Sequence, residues 1–444
     1  MKDVKIIVLD DDPTGIQTVH DVYVYTDWHL ETIQEAFQDA NNLFFILTNS
    51  RSFSEDKTIQ VHQEIGERIN QVAQESGKEY IVISRGDSTL RGHYPLETET
   101  LRDALEEKHI CFDGEIFCPF FLEGGRVTIH GVHYIKSGET LMPVAESEFA
   151  KDKTFGYNHS DLGAFIEEKT KGRYRAQDCI RIDIDLLRQK RIDEIYQILL
   201  NVDHFNKVIV DSTSYEELEI FVLAFRQALK AGKHFLIRSA AGFPKILGGI
   251  SNQGLLKGQS IKSSNVQAGG IVLIGSHVHK TTEQLEYLKA SGLDVDYIEF
   301  KAEQVKVEKG LKREVNRVIQ QVEQNIYQGR TSVVYTSRNV VKLKTRDREK
   351  ILEASVKISE AVTSIIGLIQ IKPSFILAKG GITSSDVGTK ALKVKKAFVM
   401  GQIKPGVPVW KTDAKSKFPN MPYIIFPGNV GERETLKEII ESLV

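Results

Sequence analysis

Cysteine is scarce in this 444-residue chain: Cys111, Cys118 and Cys179 are its three, and they stand apart in sequence. That excludes a disulfide framework and the clustered spacing of a structural zinc site. No H-E-x-x-H occurs, so no dedicated transition-metal site is expected and the metal ligands stay unknown. Charge of one sign is also lacking, since 58 Lys and Arg against 60 Asp and Glu leave a formal net charge of −2. Without a basic field, nucleic acid is not an expected partner. No apolar run approaches membrane-spanning length, and MKDVKIIVLD enters a strand directly without a signal-peptide core. The expectation is a soluble, cytoplasmic protein with no membrane partner. Internal repeats are absent. So are G-x-x-x-x-G-K-[ST] and strand–G-x-G-x-x-G–helix, the two common nucleotide motifs.

What is present is ordinary globular composition, 41% hydrophobic and 27% charged, in a length that suits two or three domains. Short β-branched runs alternate with amphipathic stretches, which predicts an α/β protein of largely parallel sheets flanked by helices. Strands are expected at VKIIVLD, NLFFILT, EYIVIS, KVIVDS and HFLIRS, and later at GIVLIGS, TSVVYTS, SFILAKGG and PYIIFPGN. In DKTIQVHQEIGERINQVAQESG, Ile59, His62, Ile65, Ile69 and Val72 recur at helical spacing. GGRVTIHGVHYI alternates about a His-Gly pair and reads as a β-hairpin inserted in the first domain. The Gly-, Ser-, Gln- and Asn-rich stretch Gly248–Gly270 is the best linker candidate. The resulting division is a first domain at 1–250, a linker at 251–268 and a second domain at 269–444.

Ligands of open parallel sheets sit outside the carboxyl ends of the strands, so the residues after each strand carry the functional argument. In the first domain these are DDDPTG (Asp10–Gly15), TNSRS (Thr48–Ser52), SRGDSTLRGH (Ser84–His93) and RSAAG (Arg238–Gly242). Arg51, Arg85, Arg91 and Arg238 suit an anionic ligand, because guanidinium forks grip carboxylates with paired hydrogen bonds. Asp11, Asp12 and Asp87 would accept hydrogen bonds from hydroxyls, and one could take a proton in chemistry. A small polyhydroxylated acid satisfies both sets. The bland alternative is that these charges neutralise one another, and Asp10, ending its strand, reads as structural.

In the second domain the strand ends are GSHVHKTTEQ, TSRN, KGGITSSDV and FPGNVG. Glycine lets backbone N–H groups turn toward a bound anion, as a phosphate requires, although tight turns alone would also use it. His277, His279, Thr281 and Thr282 are loop candidates for nucleotide contacts. The lysine-rich KALKVKKAFVMGQIKPGVPVWK reads as a solvated face more than as a screen for triphosphate charge.

With these loops in hand, the chain resembles the four-carbon acid sugar kinase family, ATP-dependent kinases of D-threonate, D-erythronate and 3-oxo-tetronates. The resemblance rests on DDPTG, RGDSTLRGH, GGRVTIHGVHYI, KGGITSSDV, GQIKPGVPVW and FPGNVG, in that order along nearly the whole chain. It implies an N-terminal domain for the sugar acid and a C-terminal domain for ATP, with Mg²⁺ carried by the nucleotide. It gives a substrate role to Asp12, Arg51, Asp87, Ser88 and Arg91, and a nucleotide role to Ser276, Gly380, Gly381, Ile382, Thr383 and Gly428. Asp12 is the first choice, and Asp87 the second, for the group that orients or deprotonates the acceptor hydroxyl. Asp11 and Arg85 complete the substrate-binding set read from the loops. Where many members have G-S-C-S this chain has GSHV, and Ile16 replaces the alanine that often follows the first motif. A homo-oligomer is compatible with this reading.

Two rival readings stand beside it. D-x-D-x-T at Asp10, Asp12 and Thr14 imitates a haloacid-dehalogenase-type phosphatase with Asp10 as nucleophile, but the second aspartate expected after Gly86-Asp87 is missing. A non-catalytic sugar-acid sensor would leave KGGITSSD without a task.

Overall fold

The computed structural model describes residues 4–106, 111–262, 268–338, 341, 348–428 and 430–444. The chain divides into two units, Met1–Asn252 and Gln253–Val444. Each is a largely parallel sheet flanked by helices, the α/β class expected from the alternation of strand-like and helical stretches.

The first unit contains β1 (Lys5–Asp10), β2 (Val22–Tyr25), β3 (Leu43–Leu47), β4 (Tyr80–Arg85), β5 (Gly114–Cys118), β6 (Arg126–Ile129), β7 (Val132–Ser137), β8 (Thr140–Pro143), β9 (Ile180–Ile182), β10 (Asn206–Val210) and β11 (Phe235–Ser239). The main sheet runs β2-β3-β1-β4-β11-β5-β10-β9, with neighbouring strands parallel. Helices cover both faces of such a sheet, which explains why KIIVLD and LFFIL are apolar runs buried throughout.

The helix Glu55–Ser76 begins on the side chain of Ser54, which accepts the Lys57 N–H, and ends at Gly77 with φ +64°. Its inner face, Val61, Ile65, Ile69 and Val72, packs with Ile7, Phe44 and Val82 of the sheet. Each fully buried side chain of this kind contributes roughly 1.5–3 kcal/mol. The spacing predicted Ile59 on that face, but Ile59 is 37% exposed and Thr58 takes the inner position. One residue is about 100° of helix, enough to turn a side chain out of the apolar stripe.

The expected hairpin is present as β6 and β7, and β8 adds a third antiparallel strand. Thr128 and Ser212 exchange backbone hydrogen bonds of 3.0 and 3.1 Å, fastening the hairpin just beyond the end of β10. His130, Asp183 and Asp211 cluster at its turn, yet Asp211 already accepts the N–H groups of Gly131 and Ile184 at 2.9 and 3.1 Å. The cluster works as an anchor for the turn.

The second unit contains β12 (Ile271–Ile274), β13 (Asp296–Phe300), β14 (Ser332–Thr336), β15 (Ile376–Lys379), β16 (Lys396–Lys404), β17 (Val407–Thr412) and β18 (Pro422–Phe426). Its order is β13-β14-β12-β15-β18-β17-β16; the first five are parallel and the last two antiparallel. The lysine-rich stretch is this antiparallel pair, with Ala397, Val399 and Ile403 buried along β16. Part of the stretch read as a linker packs within the second unit: Leu256 N–H donates to Gln402 O at 2.7 Å, and Ile261 is buried.

Both sheets carry a topological switch. In the first, β3 lies on one side of β1 and β4 on the other; in the second, β14 and β15 flank β12 in the same way. Loops leaving neighbouring strands diverge at such a point and open a crevice at the carboxyl edge.

Candidate functional site

At the β1 switch point the charged loops are strapped together by backbone bonds. Thr48 N–H donates to Asp10 O at 2.9 Å, Asp11 N–H to Arg85 O at 3.2 Å, and Gly86 N–H to Ser239 O at 2.9 Å. The side chains they position fall into two layers.

The lower layer is buried and self-paired. Arg85 Nη1 lies 3.1 Å from Asp10 Oδ1 and 3.3 Å from Asp11 Oδ1. Arg238 Nη1 lies 2.7 Å from Glu97 Oε2 and donates to Ser84 Oγ at 3.0 Å. Ser50 Oγ donates to the other Glu97 oxygen at 2.6 Å. A β-carbon at Gly86 would collide with the Arg238 guanidinium, and one at Gly15 with the Asp10 carboxyl. These two glycines therefore make room for charges beneath the loops. The forks of Arg85 and Arg238, read as ligand-gripping, are spent on protein carboxylates, because taking a guanidinium out of water requires a partner. Burial raises Asp10 to about 7 despite Arg85. Its carboxyl is 2% exposed beneath Gly15, so it cannot present itself as a phosphatase nucleophile.

The upper layer is partly open and contains Asp12, Arg51, Asp87 and Arg91, with side chains 22%, 20%, 12% and 24% exposed. Arg51 clamps Asp11 through Nη2 at 2.6 Å and Nε at 3.0 Å, and its Nη1 faces Asp12 Oδ2 at 3.4 Å. Asp12 Oδ1 accepts the Thr14 N–H at 2.8 Å and the Thr14 hydroxyl. Asp87 Oδ2 accepts Arg91 Nε at 2.7 Å and the Thr89 hydroxyl. Burial, the largest single influence, would raise both carboxyls, but Arg51 together with Thr14 and Arg85 at Asp12, and together with Arg91 and Thr89 at Asp87, outweighs it, and both lie below the usual range. They are charged acceptors at neutral pH, better suited to orienting a hydroxyl than to holding its proton. Asp11 is raised by burial, against Arg51 and Arg85.

Ser88 is buried and contributes its carbonyl, which meets His133 Nε2 at 2.8 Å. The other ring nitrogen of His133 lies 2.9 Å from Thr128 Oγ1. Burial pushes this histidine down to about 4, so it is neutral and fixes the Asp87–Arg91 loop to the hairpin. Glu97 and His133 escaped the sequence reading. Glu97 resembles any acid in a helix's first turn, and only its burial reveals its task.

At the β12 switch point the loops are glycine and hydroxyl, with the cations Arg338 and Lys379 bonded to their backbone carbonyls. Ser276, Gly380, Thr383 and Gly428 come together: a β-carbon on Gly380 (φ +124°) would stand 3.0 Å from Ser276 Cβ, and one on Gly428 2.8 Å from Ser276 Oγ. Thr281 Oγ1 lies 3.1 Å from Ser276 Oγ and 2.9 Å from Gly428 O. Gly381 opens the helix Gly381–Asp386 with free space at its β-carbon position, and Ile382 beside it is 71% exposed. His277 lies 3.2 Å from Thr336 Oγ1, and Arg338 Nη1 donates to Ser276 O at 2.7 Å. Thr282 and His279 lie on the first turn of the helix His279–Ala290, and His279 meets Glu283 at 3.5 Å. Asn339 and Asn429, the last residue of TSRN and the asparagine of FPGNVG, lie outside the described residues.

Lys379 was not singled out by the sequence. It is fully buried, its Nζ donates to Pro427 O at 3.1 Å, and it stacks 3.5 Å from the Phe426 ring centroid. Burial, with Lys280 near it, pushes the ammonium down to about 7.

Comparison with known proteins parallels this division. A family model described as a sugar-binding N-terminal domain matches residues 6–247, and one described as a nucleotide-binding C-terminal domain matches residues 271–436. No curated protein matches. Among solved structures, the Haemophilus influenzae protein HI1011, of the family DUF1537, is 17% identical, with a TM-score of 0.65 over 99% of this chain and 100% of its own. A Salmonella typhimurium LT2 protein provisionally described as a tRNA synthase is 17% identical, with a TM-score of 0.68 over 97% of each chain. These likenesses establish the fold. Among the described residues, no helix is long and apolar enough to cross a membrane. With a sugar-binding domain followed by a nucleotide-binding domain across almost its whole length, the chain belongs to the four-carbon acid sugar kinase family.

Proposed function

We propose that this protein is an ATP-dependent kinase that phosphorylates a hydroxyl of a four-carbon sugar acid of the threonate, erythronate or 3-oxo-tetronate class, working in the cytoplasm. The observation that supports it most is the opposite chemistry of the two switch points: paired carboxylates and guanidinium groups at one, uncharged glycines and hydroxyls at the other. In this reading Asp12 orients the acceptor hydroxyl and Asp87 receives a second one, while Arg51 and Arg91 hold those carboxylates in place. Asp11 and Arg85 brace Arg51 and Asp10 from below. Ser88 shapes the loop through its carbonyl.

Ser276, Gly380, Gly381, Ile382, Thr383 and Gly428 receive ATP, with glycine allowing the chain close to the phosphates. These rim residues offer hydroxyls and no carboxylates, which fits Mg²⁺ arriving on the nucleotide rather than held by the protein. Mg²⁺ bound to the phosphates neutralises their charge. Phosphoryl transfer then needs the acceptor oxygen in line and the developing charge stabilised, with no covalent enzyme intermediate.

The test is an ADP-release screen with Mg·ATP against threonates, erythronates, their 3-oxo forms and neutral polyols. Acid-dependent ADP formation is expected. Acid binding without ATP binding would favour a sensor, and phosphate release from sugar phosphates without ATP would favour a phosphatase.

A further inference from the structure

The arginines at the β1 switch point that the sequence singled out all have carboxylate partners: Arg51 with Asp11, Arg85 with Asp10 and Asp11, Arg91 with Asp87, and Arg238 with Glu97. None of them is a spare cation for a substrate carboxylate. Arg126, the first residue of β6, differs. Among the described residues, no carboxylate lies within ion-pairing distance of it, and its buried Nε has no hydrogen-bond partner. Its one hydrogen bond goes from Nη1 to the carbonyl of Gly124, two residues back.

The chain holds Arg126 at this place firmly. Phe121 and Arg126 exchange backbone hydrogen bonds of 3.0 and 2.8 Å, closing a tight loop a few residues after β5. Gly125, at φ +71°, approaches Lys136 O so closely that a β-carbon would collide with it. The guanidinium faces the Phe149 ring at 6.0 Å from its centroid, and Arg91 faces the same ring at 4.8 Å. Two cations thus lie against one aromatic ring. Burial works against the charge on Arg126 and, with Arg91, holds the group below its usual range although Asp87 favours the charge. A partly desolvated guanidinium beside a like charge is what an incoming carboxylate would stabilise, through charge-assisted and potentially bidentate hydrogen bonds.

We infer that Arg126, standing next to the Asp87-paired Arg91, seats the carboxylate of the sugar acid and makes the first unit prefer acids over neutral sugars. This rests on the proposed reading of that unit as the acid-binding half. The substrate would then lie with its carboxylate toward the hairpin and its hydroxyls toward Asp87 and Asp12. The hairpin becomes a specificity element, which gives the GGR of GGRVTIHGVHYI a task beyond turning the chain.

The test is calorimetric titration of the full-length protein with threonate and erythronate, and with threitol and erythritol as neutral four-carbon polyols. Wild type is compared with Arg126→Met and Arg126→Lys. Arg126→Met is expected to weaken acid binding about ten- to a hundredfold and polyol binding by less than about twofold, so the preference for acids collapses. Arg126→Lys should fall between, since a point charge cannot reproduce the fork. If Arg126→Met does not fold, Arg126→Lys carries the comparison. A variant that binds acids as wild type does overturns the inference and leaves the kinase reading standing. Acid binding that depends on Arg126 without any phosphoryl transfer upholds the carboxylate seat and overturns the kinase reading. A wild-type protein that binds no four-carbon acid overturns both.

Discussion

Around β1, loops from neighbouring strands bring aspartates and arginines within 2.6–3.4 Å of each other. Around β12, in the same position of a similar sheet, the corresponding loops bring together Ser276, Gly380, Thr383 and Gly428, none of them charged. The topology is shared and the chemistry is opposite. A ligand with many hydroxyls must be told from water by fixed acceptors and donors, so its site needs charges held in register, and a buried charge needs a partner. A polyphosphate brings its own charge and its own cation, so its site needs close backbone approach instead. The lower layer of ion pairs in the first unit is the cost of keeping the upper layer charged and aligned.

The comparison breaks most sharply at Asp12. In the proposed reading Asp12→Asn removes the acceptor that orients the hydroxyl, and kcat should fall by about 10²–10⁴-fold while nucleotide affinity is unchanged. Because Arg51 and Thr14 hold the carboxyl below the usual range, the acid limb of the wild-type pH profile should not fall through the ordinary aspartate range on account of this group. Steady-state kinetics across pH, with nucleotide titrations alongside, reads both effects.

Next comes the lower layer. Arg238→Met strands the buried Glu97, and breaking such a pair costs about 3–5 kcal/mol. Urea denaturation should show this as a lowered midpoint. Burial works to raise Glu97, but Arg238, His62, the Ser50 hydroxyl and His93 together outweigh it and hold it low. Its stabilisation is therefore full above the unfolded glutamate's pKa and is lost as pH falls through the lower folded value. An unchanged midpoint would mean that the ion-pair layer is not structural.

The smallest change within the range read belongs to the second unit. Burial holds Lys379 down to about 7 in the folded protein, against about 10.4 in the unfolded chain, so between those values the unfolded chain holds the extra proton. The destabilisation is full below about pH 7 and is relieved as pH rises toward the unfolded value. Lys379→Met should flatten this slope and make the protein more stable near pH 6. Denaturation midpoints from pH 6 to 9 check it, and identical slopes in both proteins would rule it out.

Much of this architecture was legible in the residues. Strands buried on both faces announce themselves as apolar runs, and β1, β3, β4, β11, β12, β14, β15 and β18 all lie where such runs stand. β16 was obscured because Lys396 and Lys404 at its ends and Lys393 and Lys395 before it masked a period-two pattern whose alternate positions are buried. The DSTLRG loop could be read as functional, but not how its charges pair. Asp11 and Asp12 are adjacent in sequence, yet one is clamped beneath Arg51 and the other is half free. Arg126 and Lys379 stand inside the quoted stretches GGRVTIHGVHYI and KGGITSSDV, but what distinguishes each, the lack of a carboxylate partner among the described residues, left no mark in the sequence.

The most direct test of the central claim is phosphorus NMR of the full-length protein incubated with Mg·ATP and threonate or erythronate. The account predicts a new phosphomonoester resonance coupled to carbon-bound protons, growing in step with ADP and growing far more slowly with Asp12→Asn. ADP accompanied only by inorganic phosphate, with no ester formed from any four-carbon acid, would contradict it.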